Sequence, residues 1–168
     1  EYTIGFIGNY LLPILEIDFS KIPGNPLLRD PHIKNIENPY ISHLPWNEKA
    51  KKFASLAIKA HEALEVRDYN RMDFRERDEQ LYFLEANVIP GLHPTEADLT
   101  NMCRHAGIAH ADMVVLILSS AVKRLSEQYP ERFKKKTELL NELAKETISK
   151  ATYAGEIVYQ DRVYNLLG

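Results

Sequence analysis

Apolar and polar positions fall into two regimes along this chain, a period of two near the start and a helical period over most of the rest. Residues 2–8 and 13–19 are rich in β-branched and aromatic side chains, and the four residues between them read as a hairpin connection. In the second run Leu15, Ile17 and Phe19 alternate with Glu16 and Asp18, as in a half-buried strand. Residues 20–45 lose the pattern. Pro23, Pro26, Pro31, Pro39 and Pro45 recur with Gly24 and several Asn, which predicts irregular structure. A loop of that length in a compact domain reads as a cover over a functional site. Residues 47–65 then return to periodicity, with Ala50, Phe53, Ala54, Ala57, Ala60, His61 and Leu64 on one helical face.

Residues 70–76 and 81–87 read as paired strands about a turn at 77–80, and Pro90 with Gly91 ends the unit. Thr95 to Asp98 has the form of a capping box opening a short helix that Gly107 closes. An apolar helix is predicted over 111–128, stopped by Pro130, and a more polar one over 131–150. The tail from Gly155 carries Ile157, Val158, Tyr159, Val163, Tyr164 and Leu166, too apolar for an unpacked end. The pattern therefore predicts an α/β (α+β) fold, an antiparallel sheet with flanking helices.

Composition narrows the function classes. Hydrophobic residues are 45% of the 168, enough for a core, and the net charge of −3 offers no basic field for nucleic acid. The basic run Lys134, Lys135 and Lys136 reads as a solvated helix face. Cys103 is the only cysteine, so an intrachain disulfide and a multi-cysteine zinc site are excluded, and it reads as a small core thiol. No apolar run reaches the roughly 18 residues of a membrane span, and no signal peptide is visible. The expected setting is cytoplasmic.

The chemistry concentrates in the strand pair. If Arg77 lies opposite Leu81, Asp73 falls opposite Glu85 and Arg71 opposite Asn87, all on one face. Met72, Phe74, Leu84 and Ala86 then share the other, apolar face. Carboxylates directly across a strand pair lie ~5 Å apart and repel. Two readings of this face stand. Either a divalent cation offsets the repulsion, since two carboxylates and an amide oxygen form a hard site suited to Mg²⁺; or Arg71, Arg75 and Arg77 simply neutralise Asp73 and Glu85.

Three motifs in order, Arg71-Met-Asp73-Phe74, Leu84-Glu85-Ala86-Asn87 and Pro90-Gly91-Leu92, resemble the run that closes the ATP site of D-alanine–D-alanine ligases and their ATP-grasp relatives. The upstream strands beginning at Glu1 and Pro13 resemble the hairpin preceding it, and the likeness extends over residues 1–128. The resemblance implies an ATP-grasp partial domain at 1–129, the C-terminal half of such a domain. Asp73, Glu85 and Asn87 would hold two Mg²⁺ ions, Mn²⁺ being an alternative, with Glu85 shared between them. Arg71 would stabilise the acyl phosphate and the tetrahedral species after it, and the Gly91 N–H the developing oxyanion. Glu1 would accept from the ATP ribose, and Lys34 would reach the transferred phosphate from the loop. The activity implied is ATP-dependent joining of a small-molecule carboxylate to an amine.

Two departures from that pattern matter. Residue 1 is Glu and the chain enters a strand-like run at once, so an N-terminal half of the enzyme is expected to be missing and the chain to be inactive alone. D-Alanine ligases also place a serine shortly after Pro-Gly for the second D-alanine's carboxylate, where this chain reads His93, Pro94, Thr95, Glu96, Ala97, Asp98. An anionic Glu96 would repel that carboxylate, although Thr95 could take the serine's place if the register shifts by one; D-alanine as acceptor is therefore in doubt, and an amino-acid or other amine acceptor is open. His93 is a candidate substrate contact or a loop histidine facing water. Residues 130–168 are either a helical extension packed on the domain or a linker to another domain, and a homodimer is left open. The rival to the enzyme is a non-catalytic nucleotide- or partner-binding module that kept the fold.

Overall fold

The computed structural model describes residues 1–24, 26 and 41–167. One sheet of eight strands organises it. Strand β1 (Tyr2–Ile7) is the centre. Along one edge it pairs antiparallel with β5 (Tyr69–Arg77); its other edge is shared by the short strands β2 (Tyr10–Leu11) and β3 (Leu15–Ile17). Beyond β3 lies β4 (Ile41–His43), and beyond β5 lies β6 (Gln80–Asn87). The C-terminal hairpin β7 (Tyr153–Tyr159) and β8 (Arg162–Leu167) joins through a parallel β8–β2 pairing.

The described ends of the 20–45 segment carry some regular structure. A 3-10 turn at Phe19–Lys21 is capped by Asp18, and β4 pairs with β3. The remainder of the expected cover, residues 25 and 27–40, lies outside the described residues, and so does Lys34.

Side-chain alternation along β1 divides the interior in two. Tyr2, Ile4 and Phe6 face α1 (Glu48–Ala63) and pack with Phe53, Ala54, Ala57, Ile58, Met72 and Phe74. Asn47 caps α1 by accepting from the Ala50 N–H, as its residue type favours. Leu64, expected on the buried face, is instead exposed, because α1 ends at Ala63 and Leu64 forms its C-cap. Ile7 points the other way, into a second core with Leu99, Met102, Met113 and Leu116 from α2 (Asp98–His105) and α3 (His110–Gln128). Gly5 makes that seating close: a Cβ there would lie 2.7 Å from Leu99 Cδ1 and 2.9 Å from Met102 Sδ. Cys103 is buried in this second core, and burial pushes its thiol up to about 12.

Helix α4 (Pro130–Lys150) packs along α3, with Ala144 and Ile148 against the second core. Tyr164 and Leu166 of β8 complete the first core, and Leu167 joins the second. The Trp46 indole N–H donates to the Leu167 carbonyl at 3.0 Å. Among the described residues no single helix is long and apolar enough to cross a membrane; α2 and α3 together approach that composition only across a 104° bend.

Candidate active site

The β5–β6 hairpin builds the site, and its register follows from two irregularities that cancel. The turn is tighter than expected: Arg77 faces Gln80, and Asp78 and Glu79 form a two-residue loop with φ of +51° and +60°. Positive φ at both positions is what a type I′ hairpin turn requires. That shifts the pairing by one residue as far as Phe74–Phe83. A bulge at Leu84 then restores it, so Asp73 faces Glu85 and Arg71 faces Asn87 after all. The bulge has a cost to the expected apolar face. Leu84 is 49% exposed, and Phe83 stacks edge-on against Phe74 in its stead.

Asp73 lies on the same side of the sheet as the second core and is nearly buried. It accepts from the Thr3 hydroxyl at 2.8 Å, from Arg71 Nη2 at 2.8 Å and from Asn87 Nδ2 at 3.3 Å. Asn87 Nδ2 also donates to Glu85 Oε1 at 2.9 Å. One amide N–H₂ thus sits between the two carboxylates, and its partial positive charge stands where a cation would be placed. A 180° turn of the amide would aim its oxygen into the same space. Among the described residues no cluster of three or more His, Cys, Asp or Glu exists to hold a metal. The donor set here is two carboxylates and one amide, and it fits a hard divalent cation that keeps other oxygen ligands.

The three arginines divide in a way that bears on the two readings of this face. Arg71 pairs with Asp73, Arg75 Nε lies 3.6 Å from Glu1 Oε2, and Arg77 pairs with Asp78. Among the described residues Glu85 has Asn87 as a partner and no cationic one. Among the described residues arginine therefore neutralises Asp73, while Glu85 is exposed to solvent and has no arginine partner.

Arg71 is held from both sides. Its Nη1 donates to Asp98 Oδ2 at 3.2 Å, while Nε is buried with no acceptor among the described residues. A buried guanidinium N–H without an acceptor carries a desolvation cost. Asp98 was legible in sequence only as part of a capping box. That box does not form, since α2 begins at Asp98 without a side-chain cap. Instead His93 Nδ1 accepts from the Thr95 and Glu96 N–H groups at 3.4 and 3.3 Å. His93 therefore shapes the loop, which Arg104 ties down through the Pro94 carbonyl and His110 through that of Leu92. Thr3 is the other site residue that pattern reading missed. Its signal was a polar residue within a strand otherwise buried on both faces.

Gly91 is exposed, and among the described residues a Cβ there would meet nothing nearer than Ala97 Cβ at 4.0 Å. Glu1 sits apart from the carboxylate pair, in a cavity of about 440 Å³ lined also by Glu16, Asp18, Ser20, Arg75 and Glu76. The fold thus brings Arg71, Asp73, Glu85 and Asn87 together and sets Glu1 in a neighbouring cavity.

Comparison with known proteins defines the class. Residues 33–119 match the family model described as the D-ala D-ala ligase C-terminus. A D-alanine–D-alanine ligase of Sinorhizobium fredii is 31% identical over 127 residues, covering 72% of this chain and 40% of that enzyme. One from Rhodospirillum rubrum is 38% identical over 124 residues, covering 72% and 39%. The crystal structure of the D-alanine–D-alanine ligase from Bacillus anthracis complexed with ATP superposes with a TM-score of 0.59 at 18% identity, over 75% of this chain and 38% of that one. The chain belongs to the D-alanine–D-alanine ligase C-terminal family and has the ATP-grasp fold. It spans about 40% of the length of the relatives it matches.

Proposed function

We propose that this chain is the metal- and phosphate-handling part of an ATP- and Mg²⁺-dependent ligase that activates a carboxylate as an acyl phosphate and joins it to an amine. The observation that carries the proposal is the Asp73–Glu85 pair, bridged by the Asn87 amide, with Glu85 lacking a cationic partner among the described residues. Asp73, Glu85 and Asn87 would hold Mg²⁺, which supplies charge neutralisation for the ATP phosphates when bound. Arg71, clamped by Asp73 and Asp98, sets a guanidinium charge beside the carboxylate pair for a transferring phosphoryl or acyl phosphate oxygen. The backbone at Gly91 approaches the reacting carbonyl because no side chain intervenes. Glu1 accepts from the ribose, and Arg75 holds its carboxylate in place. The chain acts as part of a longer enzyme and is inactive alone, since adenine and the first phosphate contacts come from residues outside it.

In this reading the loop after Gly91 sets the choice of acceptor amine, and the exposed Glu96 there disfavours a free carboxylate. The test is trapping of the activated carboxylate by hydroxylamine in the full-length protein, with ATP, Mg²⁺ and a panel of carboxylates. Hydroxamate and ADP formed together support the ligase. ADP release with no carboxylate dependence would overturn it.

A further inference from the structure

A second cavity, of about 500 Å³, opens between α3, α4 and the junction of β2 with β8. It lies near Ile7, four residues or ~13 Å along β1 from Thr3 and Asp73, so it is separate from the site above. Of its lining residues only Leu116 and Ser119 fall within residues 33–119, the part matched to the family. Its volume is in the range of small-molecule pockets.

The lining is amphipathic and of one charge sign. The apolar floor includes Ile7 and Leu116, both almost fully buried. Above it converge the hydroxyls of Ser119 and Ser120 and the carboxamide of Asn141, with Ser119 Oγ 3.5 Å from Asn141 Oδ1. Lys123 and Lys145 complete the rim from α3 and α4. No Asp or Glu lines the cavity, although acidic residues outnumber basic ones in the chain, 24 to 21. Lys123 and Lys145, both exposed, hold no carboxylate partner among the described residues. Two unpaired ammonium groups over hydroxyl donors select an oxyanion, and the floor selects a short apolar body.

We propose that this cavity binds a small organic oxyanion, a carboxylate or phosphate monoester with a compact apolar group. Backbone amide NMR of the whole chain, titrated at constant ionic strength with benzoate, phenyl phosphate and inorganic phosphate in separate arms, tests it. Saturable shifts confined to residues around 119–123, 141–145 and 165 are expected, tighter for the organic anions than for inorganic phosphate. Which organic arm saturates first distinguishes carboxylate from phosphate. Replacing both rim lysines (Lys123→Met with Lys145→Met) keeps their length and removes the charge, and is expected to weaken binding at least tenfold. Lys59→Met, on α1, is the control and should change nothing. Linear, unsaturated shifts in all arms, or equal affinity in the double variant, would overturn the proposal.

Discussion

Glu85→Gln separates the catalytic reading of the hairpin face from a structural one. Glu85 faces Asp73 directly across the strand pair, and its one described partner is the Asn87 amide. Glutamine keeps the shape and an oxygen able to accept from Asn87, so no hydrogen bond need be lost. What disappears is one of two facing negative charges. Without a cation that relieves a cross-strand repulsion of up to about 1 kcal/mol, a rise of roughly 2–4 °C in Tm for a chain of this size. With Mg²⁺ and ATP the sign reverses. Were Glu85 the shared ligand of two ions proposed above, it would have lost its charge, and the loss of about 4 kcal/mol expected for such a ligand is roughly 10³-fold in rate. The assay is Mg²⁺-dependent ADP release by the full-length protein, beside thermal unfolding in chelator. Unchanged turnover would refute the metal assignment. A lowered Tm in chelator would refute the account of Glu85 as an uncompensated charge.

Three further outcomes are expected. Thr3→Val removes a buried donor 2.8 Å from Asp73 Oδ1 and should cost about 1–3 kcal/mol in urea unfolding, while Thr3→Ser restores it; equal stability of Val and wild type would refute the role. Tyr164→Ala opens the first core beside Phe6 and His61 and should cost about 3–5 kcal/mol, whereas Tyr164→Phe loses only the hydroxyl's bond to Glu62; a small effect of the Ala variant would mean the C-terminal hairpin does not support that core. His43 is held at about 4 by burial, with His105 stacked on it at 3.6 Å adding to the effect. Its folded value lies below the unfolded one, so stability is full above about 6.5 and falls as pH drops toward 4, by at most about 1.4 kcal/mol per pH unit and less for a partly buried ring. His43→Gln should flatten unfolding free energy across that window, and an unaltered slope would refute the assignment.

Local patterning determined the elements of this protein. The alternation along residues 15–17, the helical face around Phe53 and Ala57, the Asn47 cap and the Gly107 stop each depend on near neighbours, and each forms as its residues dictate; the strand expected to run on to Phe19 gives way there to a 3-10 turn. The facing of Asp73 and Glu85 agrees with the register assumed from the sequence, but only because two irregularities cancel. The route to that register was not legible. A two-residue turn at Asp78–Glu79 and a bulge at Leu84 shift the pairing in opposite senses, and bulge energies depend on packing against Phe74 rather than on local type. Tertiary structure alone assigned Thr3 and Asp98 to the site, since each lies far along the chain from the residue it serves. It also decided the fate of the C-terminal segment. Tyr164, Leu166 and Leu167 are merely apolar in sequence; the open edge of β2 gives β8 its pairing partner, and the two cores receive the side chains that β8's alternation directs to opposite faces.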